Sequence, residues 1–358
     1  MTVLELLAGL VLLTAGGELL VRGGTALGRA VGISPLVIGL TVVAFATAAP
    51  ELAVSLGAAL TGAAGIAVGN VVGSNIANVL LVGGLTAVAA PLAVDRKLLR
   101  GDLPALLGLS VLLLLLAADG TVALWEGLLL VALAVAYLSW KVLAGRREEA
   151  PEASEEERPP LRLRTVLAPL GMLLAGVALL VVGARMLVDA ATTIAAALGL
   201  SDLVIGLTVV AVGTSLPELA TTVVAAVRGQ REMALGNIVG SNVLNIGVVL
   251  GLTAVVAPGG LPVDASALRL DLPVMIAVTL AFVPLLLTGA RLVRWEGGLL
   301  LAWYAVYLAV LVLPAVGSAA APAFTAVAQW GLLPLTAVGL AGLTVREVRT
   351  RRRAAATR

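Results

Sequence analysis

The sequence predicts an all-α polytopic membrane protein built from two inverted five-helix repeats (spans 1–5 and 6–10) plus an extra C-terminal helix. Three observations carry that expectation. Apolar residues make up 60% of the 358-residue chain and charged residues 12%, and most apolar runs are about 20 residues or longer, enough to cross a hydrocarbon core of about 30 Å. Residues 34–91 recur at 201–258 at a constant offset of 167, with 34 of 58 positions identical, far beyond what shared apolar composition gives. Lys and Arg gather in alternate loops, as topology signals do.

Eleven spans are expected, at about 4–28, 34–61, 66–92, 103–118, 121–143, 165–190, 202–227, 233–257, 272–288, 295–316 and 321–344. The first five and the next five form two halves, 1–144 and 165–316. The likeness outlasts the long repeat. Arg100-x-Asp102-Leu103-Pro104 matches Arg269-x-Asp271-Leu272-Pro273, and Trp125-Glu126-Gly127 matches Trp295-Glu296-Gly297. A duplicated unit of five spans must lie in opposite orientations across the bilayer. Placing the N-terminus outside puts Arg29, the Arg96–Arg100 cluster, Arg146, Arg147, Arg158, Arg162, Arg164, Arg228, Arg231, Arg291 and Arg294 inside, with Arg269 as the outward exception. Residues 145–164 read as a charged, proline-containing cytoplasmic linker. Residues 317–358 read as the eleventh helix and a basic cytoplasmic tail, a topology determinant with anionic-lipid contact as a weaker role. No cleavable secretory signal is evident. The location expected is the cytoplasmic membrane.

Composition excludes much chemistry. There is no cysteine and no histidine, which removes disulfides, thiol chemistry, haem, zinc and imidazole relays. No phosphate-cradling G-x-x-x-x-G-K-[ST] run is present, arguing against an ATP-driven pump. An intramembrane hydrolase finds no histidine and no Ser–Lys or paired-Asp constellation among the repeats.

What remains is one acidic residue inside each copy, Glu51 and Glu218, in the contexts ATAAPE and GTSLPE. A carboxylate in a lipid-buried segment is costly and therefore reads as functional; matching positions in a duplicated unit point to one ion site between the repeats. Pro50 and Pro217 break their helices, because proline has no N–H to donate and crowds the preceding turn. Carbonyls are then expected to be freed around residues 45–47 and 212–214, with Ala44 and Ala211 as further candidate backbone ligands. Irregular backbone at membrane depth is tolerated where it is buried in protein or lines a cavity. Thr47, Thr214 and Ser215 add hydroxyls. In the following span of each copy Ser74 and Asn78, like Ser241 and Asn245, share a helix face at i, i+4. Gly73 and Gly240 allow close helix approach. Asn70 and Asn237 are expected to support broken backbone. Such an oxygen set suits Na⁺ and Ca²⁺ and poorly suits transition metals. Packing for the serines and interhelical bonding for Asn78 and Asn245 remain open rivals.

Two carboxylates neutralise one divalent cation, whereas an empty site would hold uncompensated charge in a low dielectric, so Na⁺ or protons should replace Ca²⁺. A second pairing is expected outside the repeats: Glu18 with Arg22 and its counterpart Arg185 with Asp189, each at i, i+4, neutralising itself near an interface.

The paired motifs resemble those of the cation/Ca²⁺ exchanger superfamily, specifically its prokaryotic sodium/calcium exchanger branch, over about residues 1–316. The resemblance implies that Glu51 and Glu218 with Thr47 and Thr214 bind Ca²⁺ and Na⁺, that Ser74 and Ser241 complete outlying Na⁺ sites, and that spans one and six slide past the core to give alternating access. It implies a secondary transporter, not an enzyme. No cofactor is expected beyond the transported Ca²⁺ and Na⁺. The expected partners are the bilayer and inorganic cations, with no nucleic acid and no obligatory protein. Two positions depart from the pattern. Ala48 stands where a Ser is common, as at Ser215, and Asn245 stands where some members have Asp. A Ca²⁺/H⁺ antiporter using the same glutamates is the alternative; a cation channel fits the matched broken helices less well.

Overall fold

A computed structural model describes residues 2–95, 97–149, 163–198, 209 and 211–356. Residues 201–208 and 210 of the second repeated segment, and most of the 145–164 linker, lie outside the described residues. The chain is helical almost throughout. Its long helices are α1 (Thr2–Val31), the bent pair α2 (Pro35–Thr47) and α3 (Ala49–Leu60), α4 (Gly65–Ala89), α5 (Leu98–Asp119), α6 (Leu124–Gly145), α7 (Val166–Ala197), α8 (Leu216–Val227), α9 (Arg231–Val256), α10 (Ala267–Ala290), α11 (Arg294–Ala315) and α12 (Ala321–Arg346). Among the described residues, nine of these are long and apolar enough to cross a membrane singly and α2–α3 do so as one bent span, so the chain is an integral, multi-pass membrane protein. The helix that contains α6 runs on to Glu149, past the expected start of the linker at Gly145, because Arg146, Arg147, Glu148 and Glu149 are good helix formers.

Equivalent parts of the two copies meet in reciprocal pairs. A Cβ on Gly9 would lie 2.9 Å from the Gly183 carbonyl oxygen, and one on Gly16 would lie 2.8 Å from that of Gly176. Contacts that run forward on α1 and backward on α7 make the two helices antiparallel. Gly84 meets Gly297, and Gly127 meets Gly251, in the same reciprocal way. Two-residue strands repeat the relation: β1 (Leu92–Ala93) pairs antiparallel with β4 (Arg291–Leu292), and β2 (Thr121–Val122) with β3 (Leu261–Pro262). Without a strong hydrophobic drive between helices in lipid, such glycines matter because they let backbones touch.

The layering follows from burial. In α4, 78% of the apolar window is buried, and in α9 it is 89%, against 6% in α12. The two helices carrying the Ser and Asn motifs are therefore the core. The others present Leu, Val and Trp side chains outward to lipid. Met233 packs its carbonyl against the position a Gly39 Cβ would take, and a Cβ on Gly236 or Gly240 would lie 2.5 Å from the Leu36 or Leu40 carbonyl oxygen. Gly240 thus makes the close approach expected of it. Leu207, the counterpart of Leu40 in the second copy, lies outside the described residues.

Candidate functional site

The bend in the second span sits at Ala48, whose φ of −77° and ψ of −1° end one helix before Ala49 starts the next. The two pieces meet at 45°. Pro50 lies in the first turn of α3, where its missing N–H costs nothing to that helix but leaves the Ala46 carbonyl without its i+4 donor. Ser215 does the same work in the second copy, at φ −88° and ψ 4°, ahead of Pro217. Each bend delivers a glutamate into the first turn of the new helix, where the positive end of the helix dipole favours a carboxylate.

One backbone expectation needs correction. Ala44 is not freed: its carbonyl accepts the Ala48 N–H at 2.9 Å and the Thr47 hydroxyl at 3.2 Å, so both lone pairs are used inside the turn. In the second copy the Ser215 N–H reaches the Val212 carbonyl at 3.1 Å.

Glu51 is 0% exposed and Glu218 1%. Their carboxyl groups lie close enough to interact, with the Thr47 hydroxyl beside Glu218, and none of the four oxygens has a partner at full hydrogen-bond geometry. Ser74 Oγ, Ser215 Oγ, Asn78 Oδ1 and Asn245 Oδ1 are likewise buried without a partner, as are Asn75 Oδ1, Thr86 Oγ1, Asp102 Oδ2 and Thr221 Oγ1. Native interiors leave few polar atoms in this state, and each one asks for an explanation. Most of them belong to the residues that the duplicated motif singles out. Among the described residues, no Lys or Arg forms an ion pair with either glutamate. An ionised pair there needs a bound cation, since uncompensated buried charge is strongly destabilising. The chemistry of the set, carboxylate, hydroxyl and amide oxygen, suits a hard cation.

The helices interleave across the copies. The π-helical turn beginning at Asn78 packs on α8, which carries Glu218, and the turn beginning at Asn245 packs on α3, which carries Glu51. Single π turns of this kind favour functional sites. Thr47 reaches Asn237 Oδ1 and Ser241 Oγ of the other copy, each at 3.5 Å. Asn70 donates to the Glu51 carbonyl at 3.2 Å and to Ser55 at 3.0 Å, and Asn237 donates to Thr222 at 2.8 Å. Both thus brace the segment that carries the glutamate.

Other expected residues lie elsewhere. Glu18 pairs with Arg22 at 2.6 Å and also, unforeseen, with Arg228 at the end of α8 at 2.9 Å. Arg185 and Asp189 do not pair: both are exposed, and no ion pair within 4 Å joins them. The reversed order explains this. An acid N-terminal to its base at i, i+4 is the favoured arrangement, and Asp is one methylene shorter than Glu.

Residues missed by sequence reading include Ser55 and Thr222, hydroxyls at matching positions, and Asn75 and Asn242, the third letter of GSN in both copies. Also missed was a buried cluster on α5 and α6, where Asp102 accepts from Tyr137 at 2.6 Å and pairs with Lys141 at 2.8 Å. The repeat keeps Tyr307 against Asp271 at 3.1 Å but has Leu311 for the lysine.

Comparison with known proteins agrees with this architecture. The sequence profile described as sodium/calcium exchanger protein matches residues 1–143 and 168–313. The sodium/calcium exchanger MaX1 of Methanosarcina acetivorans is 36% identical over 86% of this chain and 97% of its own length. The inner membrane protein YrbG of Escherichia coli is 39% identical over 77% and 86%. A solved structure of the sodium-calcium exchanger NCX_Mj, soaked without Na⁺ and Ca²⁺, superposes with a TM-score of 0.74 at 34% identity, covering 87% of this chain and 98% of that one. On this match and on its repeated, glutamate-bearing core, the chain belongs to the sodium/calcium exchanger protein family.

Proposed function

We propose that this chain exports Ca²⁺ in exchange for Na⁺ entry, by alternating access to one central site shared by two inverted repeats. The observation that carries the reading is the facing pair of buried, hydrogen-bond-free carboxylates, Glu51 and Glu218, one from each copy. Two negative charges balance one Ca²⁺. Returning with the site bare would strand both charges in a low dielectric, so the carrier returns loaded with Na⁺. That requirement is what couples the two fluxes. Thr47, Thr214, Ser74, Ser241, Ser215, Asn78 and Asn245 complete the oxygen set around the pair. The reciprocal, antiparallel contacts between the copies support inverted repeats, and the basic loops support an outside N-terminus in the cytoplasmic membrane. The relatives named as sodium/calcium exchangers support the choice of ions.

A second reading, Ca²⁺/H⁺ exchange on the same glutamates, is favoured by one observation: Ala48 is buried at the bend where Ser215 offers its hydroxyl in the other copy. One oxygen for Na⁺ is therefore missing. The deciding experiment is Ca²⁺ uptake into proteoliposomes, driven either by an outward Na⁺ gradient or by an outward proton gradient. Uptake on the Na⁺ gradient alone is expected; uptake only on the proton gradient would move the chain to the second reading.

A further inference from the structure

We infer that Asn242 is a positioning residue: it fixes the side-chain amide of Asn78 so that Asn78 offers oxygen, not N–H, to the transported cation. The inference rests on the reading of the glutamate cluster as the cation site. A primary amide has two ends of nearly equal shape and opposite polarity. Turned the wrong way, it would point two positive hydrogens at a cation. Something outside the site must hold the NH₂ end.

Asn242 does this from the other copy. Asn78 Nδ2 donates to Asn242 Oδ1 at 3.0 Å. Asn242 is fixed in turn, because its own Nδ2 donates to the Asn75 carbonyl at 3.4 Å. Turning Asn242 over would place N–H against N–H and lose both bonds. Asn78 and Asn242 are each 1% exposed and Asn75 is 2%, so bulk water cannot stand in for a lost partner. With its nitrogen held, Asn78 keeps Oδ1 free of any partner.

The mirror-image bond is absent. By the repeat, Asn245 Nδ2 should donate to Asn75 Oδ1, yet both atoms are unpartnered. The Asn75 amide turns instead toward the Asn242 carbonyl at 3.4 Å and Met275 Sδ at 3.5 Å. Only one of the two site amides is oriented from across the interface, although all four asparagines are duplicated in sequence.

The test is the half-saturating Ca²⁺ concentration and maximal rate of Ca²⁺ flux in proteoliposomes. Asn242→Ala is expected to raise half-saturation about tenfold with the maximal rate within about twofold, while Asn75→Ala, which removes the neighbouring cross-interface bond but orients no site amide, moves it less than about twofold. Asn78→Asp has oxygen at both ends and needs no orienting. In that background Asn242→Ala should shift half-saturation by less than about threefold, a non-additivity that a purely structural role would not produce. Asn242→Asp retains the acceptor and should hold half-saturation at or below that of the unsubstituted protein, which keeps the test alive if the alanine variant does not fold. Equal effects of Asn242→Ala in both backgrounds would overturn the inference. So would an unchanged half-saturation in Asn242→Ala when Asn78→Ala raises it. If Asn78→Ala itself changes nothing, Asn78 is no ligand, and the failure lies in the site assignment on which the inference stands.

Discussion

Thr47 and Thr214 occupy the same place in the two copies, yet Thr47 is buried and reaches Asn237 and Ser241 across the interface, while Thr214 is partly exposed. Asn78 is tied to Asn242, whereas neither end of the Asn245 amide has a partner. The first bend closes on Ala48 and the second on Ser215. Against these differences, Glu51 and Glu218 are matched in burial, in helix position and in their lack of partners. The lesson is a division of labour. On the proposed reading, the duplicated sequence supplies the charge symmetrically, because two carboxylates balance one divalent ion. The neutral oxygens, each a smaller contribution, differ between the copies, and on the same reading they would set the preference among cations and coupling ions.

The symmetric part should break hardest. Glu51→Gln and Glu218→Gln are each expected to lower Ca²⁺ exchange by more than about 100-fold, since each leaves a buried divalent ion with only one of its two balancing charges; initial rates of Ca²⁺ flux in proteoliposomes measure this. Near-equal losses support equal partnership, while a variant with normal flux would remove that glutamate from the site. Next comes the packing that holds the site together. Gly240→Leu would drive a side chain into the Leu40 backbone, where even a Cβ lies 2.5 Å from the carbonyl oxygen. A destabilisation of about 1–3 kcal/mol or more is expected, read as a lower melting temperature in detergent.

Smaller effects probe the diverged ligands. Ala48→Ser restores the hydroxyl that Ser215 provides and is expected to lower the half-saturating Na⁺ concentration by about threefold, roughly the value of one neutral hydrogen-bond-strength contact; Ser215→Ala should shift it the other way. An unchanged Na⁺ response in Ala48→Ser would show that this oxygen does not limit Na⁺ binding. Smallest of all, Arg228→Ala removes an exposed ion pair to Glu18 and should cost about 0.2–1 kcal/mol, whereas Arg185→Ala, which has no ion pair to lose, should be neutral in the same thermal melts.

Much of this comparison was legible before any coordinates. The duplicated letters locate Glu51, Glu218, both prolines and the Ser and Asn positions, because burying a charge in lipid leaves few uses for it. Most spans were legible for the same reason that hydropathy works at all, since backbone polar groups must be satisfied within each helix; among the described residues nine single spans and one bent pair stand against the eleven expected, the seventh being represented only by the shorter helix Leu216–Val227. The break expected before Pro50 does fall there, at Ala48. What escaped was whatever depends on partners across the interface. The π turns at Asn78 and Asn245 leave no mark in composition. The Ala44 carbonyl is engaged because Thr47 bonds back to it, a local choice that side-chain hydroxyls make freely. Arg185–Asp189 looked like Glu18–Arg22 by spacing alone, but order and side-chain length decide whether an i, i+4 pair closes. The Asn75–Asn242 contact was carried by identical letters in both copies and still said nothing of which amide end meets which.

On the proposed reading two glutamates, one per copy, hold a single cation between them. Equilibrium Ca²⁺ binding to the purified protein tests it most directly, by titration calorimetry in Na⁺-free buffer with the two Glu→Gln variants alongside. One high-affinity Ca²⁺ per chain is expected, lost in Glu51→Gln and in Glu218→Gln alike. Two independent ions per chain, or full-affinity binding retained in either variant, would contradict it.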